Sequence, residues 1–449
     1  MGSRANRASD GEPSPRCGLG WWPTTTPTGT KAVTSDTTPV PPLALGTRLL
    51  HIGIPKTGTT ALQTAAAQHR AELAKHGVCY PGRRAGNHRE AVCALMGRRL
   101  GWAGAGDYVP DIRLWEQLLA EVERRPDSRT LISHEFASES DDEQARRFRD
   151  SLGESIHVVI TLRGFAWLLS SSWQQYVKAG RRQSFDRWLK AILVEMDRAP
   201  APGFYKRNDQ AAIVRRWADV VGPDRLTVVI ADKQRPNQLT DAFEDMLGLP
   251  RGLLHTDDGG GLAANRSLSL PEAELIRKIN SVFRAQDYSW QEYTGLIRNG
   301  AVARLLEGRR PAANEPKIVL PQWAAEKATE KARHYAEGIE AVGCRVIGDL
   351  TTLYAPIPST PGKPVKIDTV PMDVAVQAMS GLLSASSGRG AFFDLESTIS
   401  SPSVRRLSRS RRVRHWLQTS QVTANSSVAD LLAVAGVRAA SRLRSRLGR

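Results

Sequence analysis

The sequence predicts an α/β fold, a three-layer sandwich whose central, mostly parallel sheet is covered by helices on both sides. Three observations carry this. Four short runs, RLLHIGI (48–54), TLISHE (130–135), IHVVITLR (156–163) and LTVVIAD (226–232), are nearly continuous in Ile, Val and Leu, as strands buried on both faces are. Amphipathic helical stretches lie between and after them. The first run also leads through a glycine-bearing turn directly into a helical pattern, GIPKTGTTALQ, and ligands of such sheets sit at the C-terminal strand ends.

Taken in chain order, residues 1–46 are rich in Pro, Thr, Ser and Gly without apolar periodicity, so they are expected as a disordered leader. The α/β domain runs over 47–357. Its first helix, TALQTAAAQHRAELAKHG (60–77), puts Leu62, Ala66, His69 and Leu73 on one stripe, with Gly77 as a C-terminal stop. Further helices are expected over DIRLWEQLLAEVERR, FAWLLSSSWQQYVKAG, SFDRWLKAILVEM, NDQAAIVRRWADVVG and PEAELIRKINSVF. Trp173, Trp188 and Trp217 fall inside these amphipathic stretches and are expected in the core. A Pro/Gly/Ser-rich linker is expected over 358–403, and a basic, partly helical tail over 404–449.

A hydrophobic content of 41% and a charged fraction of 24% are ordinary for a globular chain of 449 residues. The net charge of +16 is not spread evenly: residues 401–449 hold eleven arginines against Asp430 alone, so ten of those charges lie in the tail. Charge therefore does not mark the α/β domain as a nucleic-acid binder. Cys17, Cys79, Cys93 and Cys344 form no C-x-x-C pair and have no histidine at ligand spacing, which argues against a zinc site and a disulfide scaffold and points to a reducing compartment. No signal-like apolar region and no membrane-length run stands in the sequence, so a cytoplasmic protein is expected.

The turn after the first run is the most informative stretch. Gly53 and Gly58 have the G-x-x-x-x-G spacing of a P-loop, and Thr59 and Thr60 open the next helix. Free N–H groups at such a helix start, backed by the helix dipole, bind anions. An ATP-binding loop puts its lysine after the second glycine. Here Thr59 stands there and the lysine is Lys56, so its ammonium meets the anion from another direction.

IGIPKTGTTALQ followed by GVCYPG resembles the bacterial P-loop sulfotransferases that use 3′-phosphoadenosine-5′-phosphosulfate (PAPS). The resemblance covers roughly 47–355 and continues through SFDRWL, IVRRWADVVGPDRLTVVIAD, DAFEDMLGLP and NRSLSLPEAELIRKIN. It implies a P-loop nucleoside-triphosphate-hydrolase-like fold, with Lys56, Thr57, Gly58, Thr59 and Thr60 binding the 5′-phosphosulfate. The family's second signature is an arginine at a strand end with a serine eight residues on, holding the 3′-phosphate. TLRGFAWLLSSSW supplies Arg163 and Ser171, although the usual R-D-P reads R-G-F here. The resemblance also places a general base near the end of the second run, where Glu135 and His134 both stand; Glu135 is favoured because the bacterial pattern is similar to S-S-E. A structural role for Glu135, as partner of Lys56 or Arg163, is the competing reading.

Sulfuryl transfer needs a cation at the leaving phosphate, which suits Lys56, and no obligatory metal. His88, in AGNHRE, is a candidate acceptor contact in a loop, beside the plainer reading of an exposed histidine with no role. The acceptor implied is a hydroxyl or, less favoured, an amine, on a glycan, glycolipid or small metabolite. Two other functions compete. Asp232 after VVIA imitates the aspartate with which a P-loop kinase holds magnesium for ATP. The α/β domain is otherwise a scaffold for the basic tail, whose one apolar face and Arg438, Arg442, Arg446 and Arg449 fit an anionic membrane surface better than nucleic acid, Trp416 being its one aromatic.

Overall fold

The computed structural model describes residues 40–386 apart from 83–87, 103–104, 198–199, 256–265, 287 and 363–364. The basic tail, most of the leader and the end of the expected linker lie outside the described residues.

Among the described residues, six strands form one sheet: β1 Arg48–His51, β2 Val78–Cys79, β3 Arg129–Ser133, β4 Ile156–Leu162, β5 Leu226–Ile230 and β6 Arg345–Ile347, in spatial order β2-β3-β1-β4-β5-β6. Every pairing is parallel. The fold is thus α/β with the expected parallel sheet. Alternate residues bury on opposite faces. Leu50, Ile132, Val158, Ile160 and Val228 join one core with helices α3 (Phe165–Lys178), α4 (Gln210–Val221) and α7 (Gln322–Glu340). Leu49, Leu131, Val159 and Val229 join another with α1 (Thr59–Gln68) and α5 (Gln238–Leu247). Each such side chain contributes about 1.5–3 kcal/mol on burial, and the double burial explains why the four central runs read as continuous apolar stretches. Trp173, Trp188 and Trp217 are buried, as expected.

β1 pairs with β3 on one side and β4 on the other. The chain leaves β1 toward β2 and β3, then crosses back to β4, so the direction of winding reverses at β1. Crevices for ligands open at the C-terminal ends of strands at such a switch point. The turn after β1 sits there, flanked by the residues that follow β3 and β4.

Some expectations are corrected. The first helix is interrupted at His69 and resumes over Arg70–Lys75, with Gly77 left-handed (φ 69°) beyond it. The strand expected over 130–135 stops at Ser133; His134 caps a 3-10 turn over Glu135–Glu139. In the leader, the Val40 and Leu43 amides donate to Asp245 Oδ2 and Met246 O, tying 40–43 to α5. The expected linker contains helix α8, Met372–Ser386, with Val374, Ala375, Ala378 and Gly381 buried. Its small residues serve close packing: a Cβ on Gly381 would stand 2.4 Å from Gly300 O. Gly300 belongs to a π-helical segment, Thr294–Val302, of a kind often found at functional sites.

Among the described residues no helix is long and apolar enough to cross a membrane.

Candidate functional site

The turn after β1 is built by backbone constraint. Gly53 takes φ 81°, and a Cβ there would meet Glu135 Cβ at 2.7 Å. Gly58, left-handed at φ 98°, begins α1, and a Cβ there would meet Leu239 Cδ2 at 2.8 Å. Between them Lys56 holds φ 72°, left-handed without being glycine. That conformation costs about 1 kcal/mol and concentrates at functional positions. No side chain caps α1 and no acidic residue stands in its first turn. Its leading N–H groups, at Gly58, Thr59 and Thr60, thus have no side-chain cap, an arrangement able to receive an anion.

A buried polar chain holds the turn from behind. The Thr57 hydroxyl donates to Ile54 O at 2.7 Å and contacts Thr161 Oγ1 at 2.6 Å. Thr161 Oγ1 lies 3.1 Å from His51 Nε2, His51 Nδ1 lies 2.8 Å from Ser133 Oγ, and Gln63 Nε2 donates to Ser133 Oγ at 3.1 Å. With Thr57's proton committed to Ile54, one assignment completes the chain: Thr161 donates to Thr57, His51 Nε2–H to Thr161, and Ser133 to His51 Nδ1. His51 must be neutral for this, and burial, aided by His134, holds its pKa down at about 3. Thr57 therefore locks the loop and is itself 3% exposed, whereas Lys56, Gly58 and Thr60 face outward.

Arg163 lies just beyond β4, and its Nη1 donates to Lys56 O at 3.4 Å. Gln210 Nε2 fixes its backbone by donating to Arg163 O at 2.8 Å. Ser171 lies half-buried on α3, its hydroxyl turned onto Trp167 O and Leu168 O at 3.3 and 3.1 Å. The glycine in R-G-F has a physical reason: a Cβ on Gly164 would meet Thr352 O and Leu353 O at 3.3 Å, so an aspartate would face two carbonyls. Lys56 is exposed as a whole, yet the walls of the crevice take part of its ammonium's hydration and so lower its pKa, with Glu135 raising it and Arg163 lowering it further.

On the β3 side, Glu135 and His134 separate. Glu135 keeps a 24% exposed side chain, with Gln63 Nε2 at 3.5 Å from Oε2. His134 is 2% exposed, and its Nδ1 accepts from Phe136 N at 3.0 Å. Burial first, then Arg89, His88 and Arg98, hold its pKa well below the usual histidine range. The one lone pair of a neutral ring is thereby engaged, and Nε2–H points toward Glu135 Oε2 at 3.8 Å. His134 cannot take a proton there without losing a buried hydrogen bond. The expected exposure of His88 is corrected. It is buried, not open to an acceptor; Nδ1 accepts from Ser133 N at 3.0 Å and Nε2 donates to Pro81 O at 2.9 Å, with burial lowering its pKa to about 4.

In structure the chain is similar to a sulfotransferase from Alicyclobacillus acidocaldarius, at 17% identity and a TM-score of 0.36, over 60% of this chain and 98% of that one. No protein-family model and no curated protein matches it.

Two cations on the elements after β4 and β5 escape a reading by motif. Lys233, the third residue after β5, lies 3.3 Å from the Trp167 ring centroid, the ring that Arg163 also approaches at 5.8 Å. Lys178 ends α3; burial, then Lys56, Arg298 and Arg266, bring its pKa to about 8. A lysine just past a strand end was a usable signal for the first; nothing local marks the second. Asp232, the kinase candidate, uses Oδ1 to accept from Gln234 N at 2.9 Å in a local turn. Asp241, Glu244 and His255 bring ligand-type atoms within 4.8 Å of one another. Both Glu244 oxygens accept backbone N–H groups, from Gly252 at 2.9 Å and Leu254 at 2.6 Å, and Arg251 lies 3.5 Å from Asp241. The group closes the loop after α5.

Proposed function

We propose that this protein is a sulfotransferase that moves a sulfuryl group from PAPS to a hydroxyl of its acceptor, in preference to an amine. The observation that carries the reading is the pairing of an uncapped helix start at the switch point with Lys56 and Arg163, which touch through the Lys56 carbonyl. An anionic donor with two separated phosphates would engage the helix start with one and Arg163 with the other. Gly58, Thr59 and Thr60 would hold its 5′-phosphate through their N–H groups. Arg163 supplies a fork for the 3′-phosphate, with Ser171 donating after its hydroxyl rotates off its own helix and Lys233 adding charge. Lys56 stabilises the phosphate oxygen that gains charge as its bond to sulfur breaks. Glu135, the carboxylate whose charge bears on Lys56, takes the acceptor's proton as the new oxygen–sulfur bond forms. A glycan, glycolipid or small metabolite fits this scheme, and no step in it requires a metal.

Incubation with [³⁵S]PAPS and a cell extract separated into glycan, lipid and small-molecule fractions tests it. Label should enter one fraction with the wild type and fall at least about 100-fold with Glu135→Gln. No transfer by the wild type, or equal transfer by Glu135→Gln, defeats the assignment.

A further inference from the structure

Helix α8 has one face built into the domain and another left open among the described residues. On the inner side Val374, Ala375, Ala378 and Gly381 are buried, with Gly381 seated on Gly300 of the π-helical segment. At its start the Asp373 carboxylate accepts from Arg309 Nε at 2.5 Å, and Arg309 Nη1 also donates to the fully buried Glu272 at 3.0 Å. The helix is therefore held at its first turn and again past its middle, which gives its outer face a fixed direction. That face carries Met372, Val376, Met379 and Leu383, spaced four, three and four residues apart. Met372, Val376 and Leu383 are 42%, 52% and 36% exposed, and Met379 is half-buried. Apolar residues in a 4-3-4 repeat form the seam by which one helix receives another.

The chemistry of the stripe selects among its possible partners. Helices that lie in a membrane surface carry lysine and arginine on their polar face, and α8 contains neither, so lipid fits it poorly. Separate chains that associate specifically bury about 1,000 Å² or more, which a single seam of four half-exposed side chains does not reach. A segment of the same chain needs far less, because tethering acts as a local concentration in the millimolar range.

The sequence holds such a segment. Val428, Leu432, Ala435 and Ala439 repeat the 4-3-4 spacing, with Leu431 beside them; these residues lie outside the described ones. Their two alanines suit the larger Met, Val and Leu side chains of α8, since large against small lets two helices approach and interdigitate. The one charged residue of α8, Asp373, is negative, and Arg438 and Arg442 stand at the end of the tail stripe. The connection, residues 387–427, reaches well beyond the roughly 16 Å that the α8 stripe spans.

We propose that residues 428–439 dock as a helix on Met372, Val376, Met379 and Leu383 of α8, so that the basic tail folds back onto its own domain. The docked segment braces the π-helical segment through α8 and fixes where the last arginines stand on the surface. The inference does not depend on the sulfotransferase reading.

Hydrogen exchange of the full chain, read by mass spectrometry, tests it. Amides of 428–439 should exchange at least about tenfold more slowly than in a synthetic peptide of residues 421–449. Val376→Lys and Leu432→Lys should each remove that protection while exchange in the central strands stays as in the wild type. Tail amides that exchange at the peptide's rate overturn the inference, as does protection that survives both variants. Protection seen only when the protein sediments as a dimer, or only with phosphatidylglycerol vesicles present, also overturns it and assigns the stripe to a second copy or to lipid.

Discussion

Lys178→Met should make the ligand-free protein more stable at neutral pH. The ammonium sits half-buried among cations, and its pKa falls from 10.5 to about 8. Between those values the unfolded chain binds the proton that the folded chain has lost, so stability rises with pH across pH 8 to 10.5 and the penalty is complete below pH 8. At 1.36 kcal/mol per pH unit the ceiling is about 3 kcal/mol; residual contact with solvent reduces the expected gain to about 1–2 kcal/mol. Methionine keeps the aliphatic stem that packs at the end of α3. Urea unfolding at pH 7 and at pH 10 measures the effect: the variant should be more stable at pH 7, with its advantage shrinking toward pH 10. A variant less stable at pH 7, or an advantage that does not change with pH, refutes the argument.

Gly53→Ala should destabilise the fold by about 2–4 kcal/mol in urea unfolding, because it combines φ 81° with a contact of 2.7 Å to Glu135 Cβ. His51→Leu leaves the Ser133 and Thr161 hydroxyls without their shared partner, a loss of about 2–3 kcal/mol. It should also remove part of the wild type's acid sensitivity: the folded pKa of His51 is depressed to about 3, so the stability it supports is present above pH 6.5 and lost as pH falls toward 3. Lys56→Ala should slow sulfuryl transfer about 10²–10³-fold while 3′,5′-adenosine bisphosphate still binds within tenfold of wild type, as kinetics beside calorimetry would show.

The central strands were legible because β1, β3, β4 and β5 are covered on both faces, which forces continuous Ile, Val and Leu. The edges β2 and β6 were not, since Val78–Cys79 and Arg345–Ile347 are too short to leave a pattern. Helix α8 was mistaken for linker because its close approach to Gly300 selects small residues, the same composition a flexible segment shows. At the site, Lys56 and Gly58 stood out because the turn after β1 holds both, and Arg163 because it follows β4, the strand paired with β1. The surroundings of His88 and His134 were not legible for one reason: a histidine's role depends on which ring nitrogen is already engaged, and the partners at Pro81, Ser133 and Phe136 are backbone groups that any residue supplies.

The measurement closest to the central claim is calorimetric titration of the full chain with 3′,5′-adenosine bisphosphate, beside ATP with magnesium. The bisphosphate should bind more tightly than ATP, and Arg163→Ala should weaken it about 10–100-fold, the loss of one or two charged hydrogen bonds. Preference for ATP with magnesium, or bisphosphate binding that Arg163→Ala leaves unchanged, would contradict the donor site built here around Lys56 and Arg163.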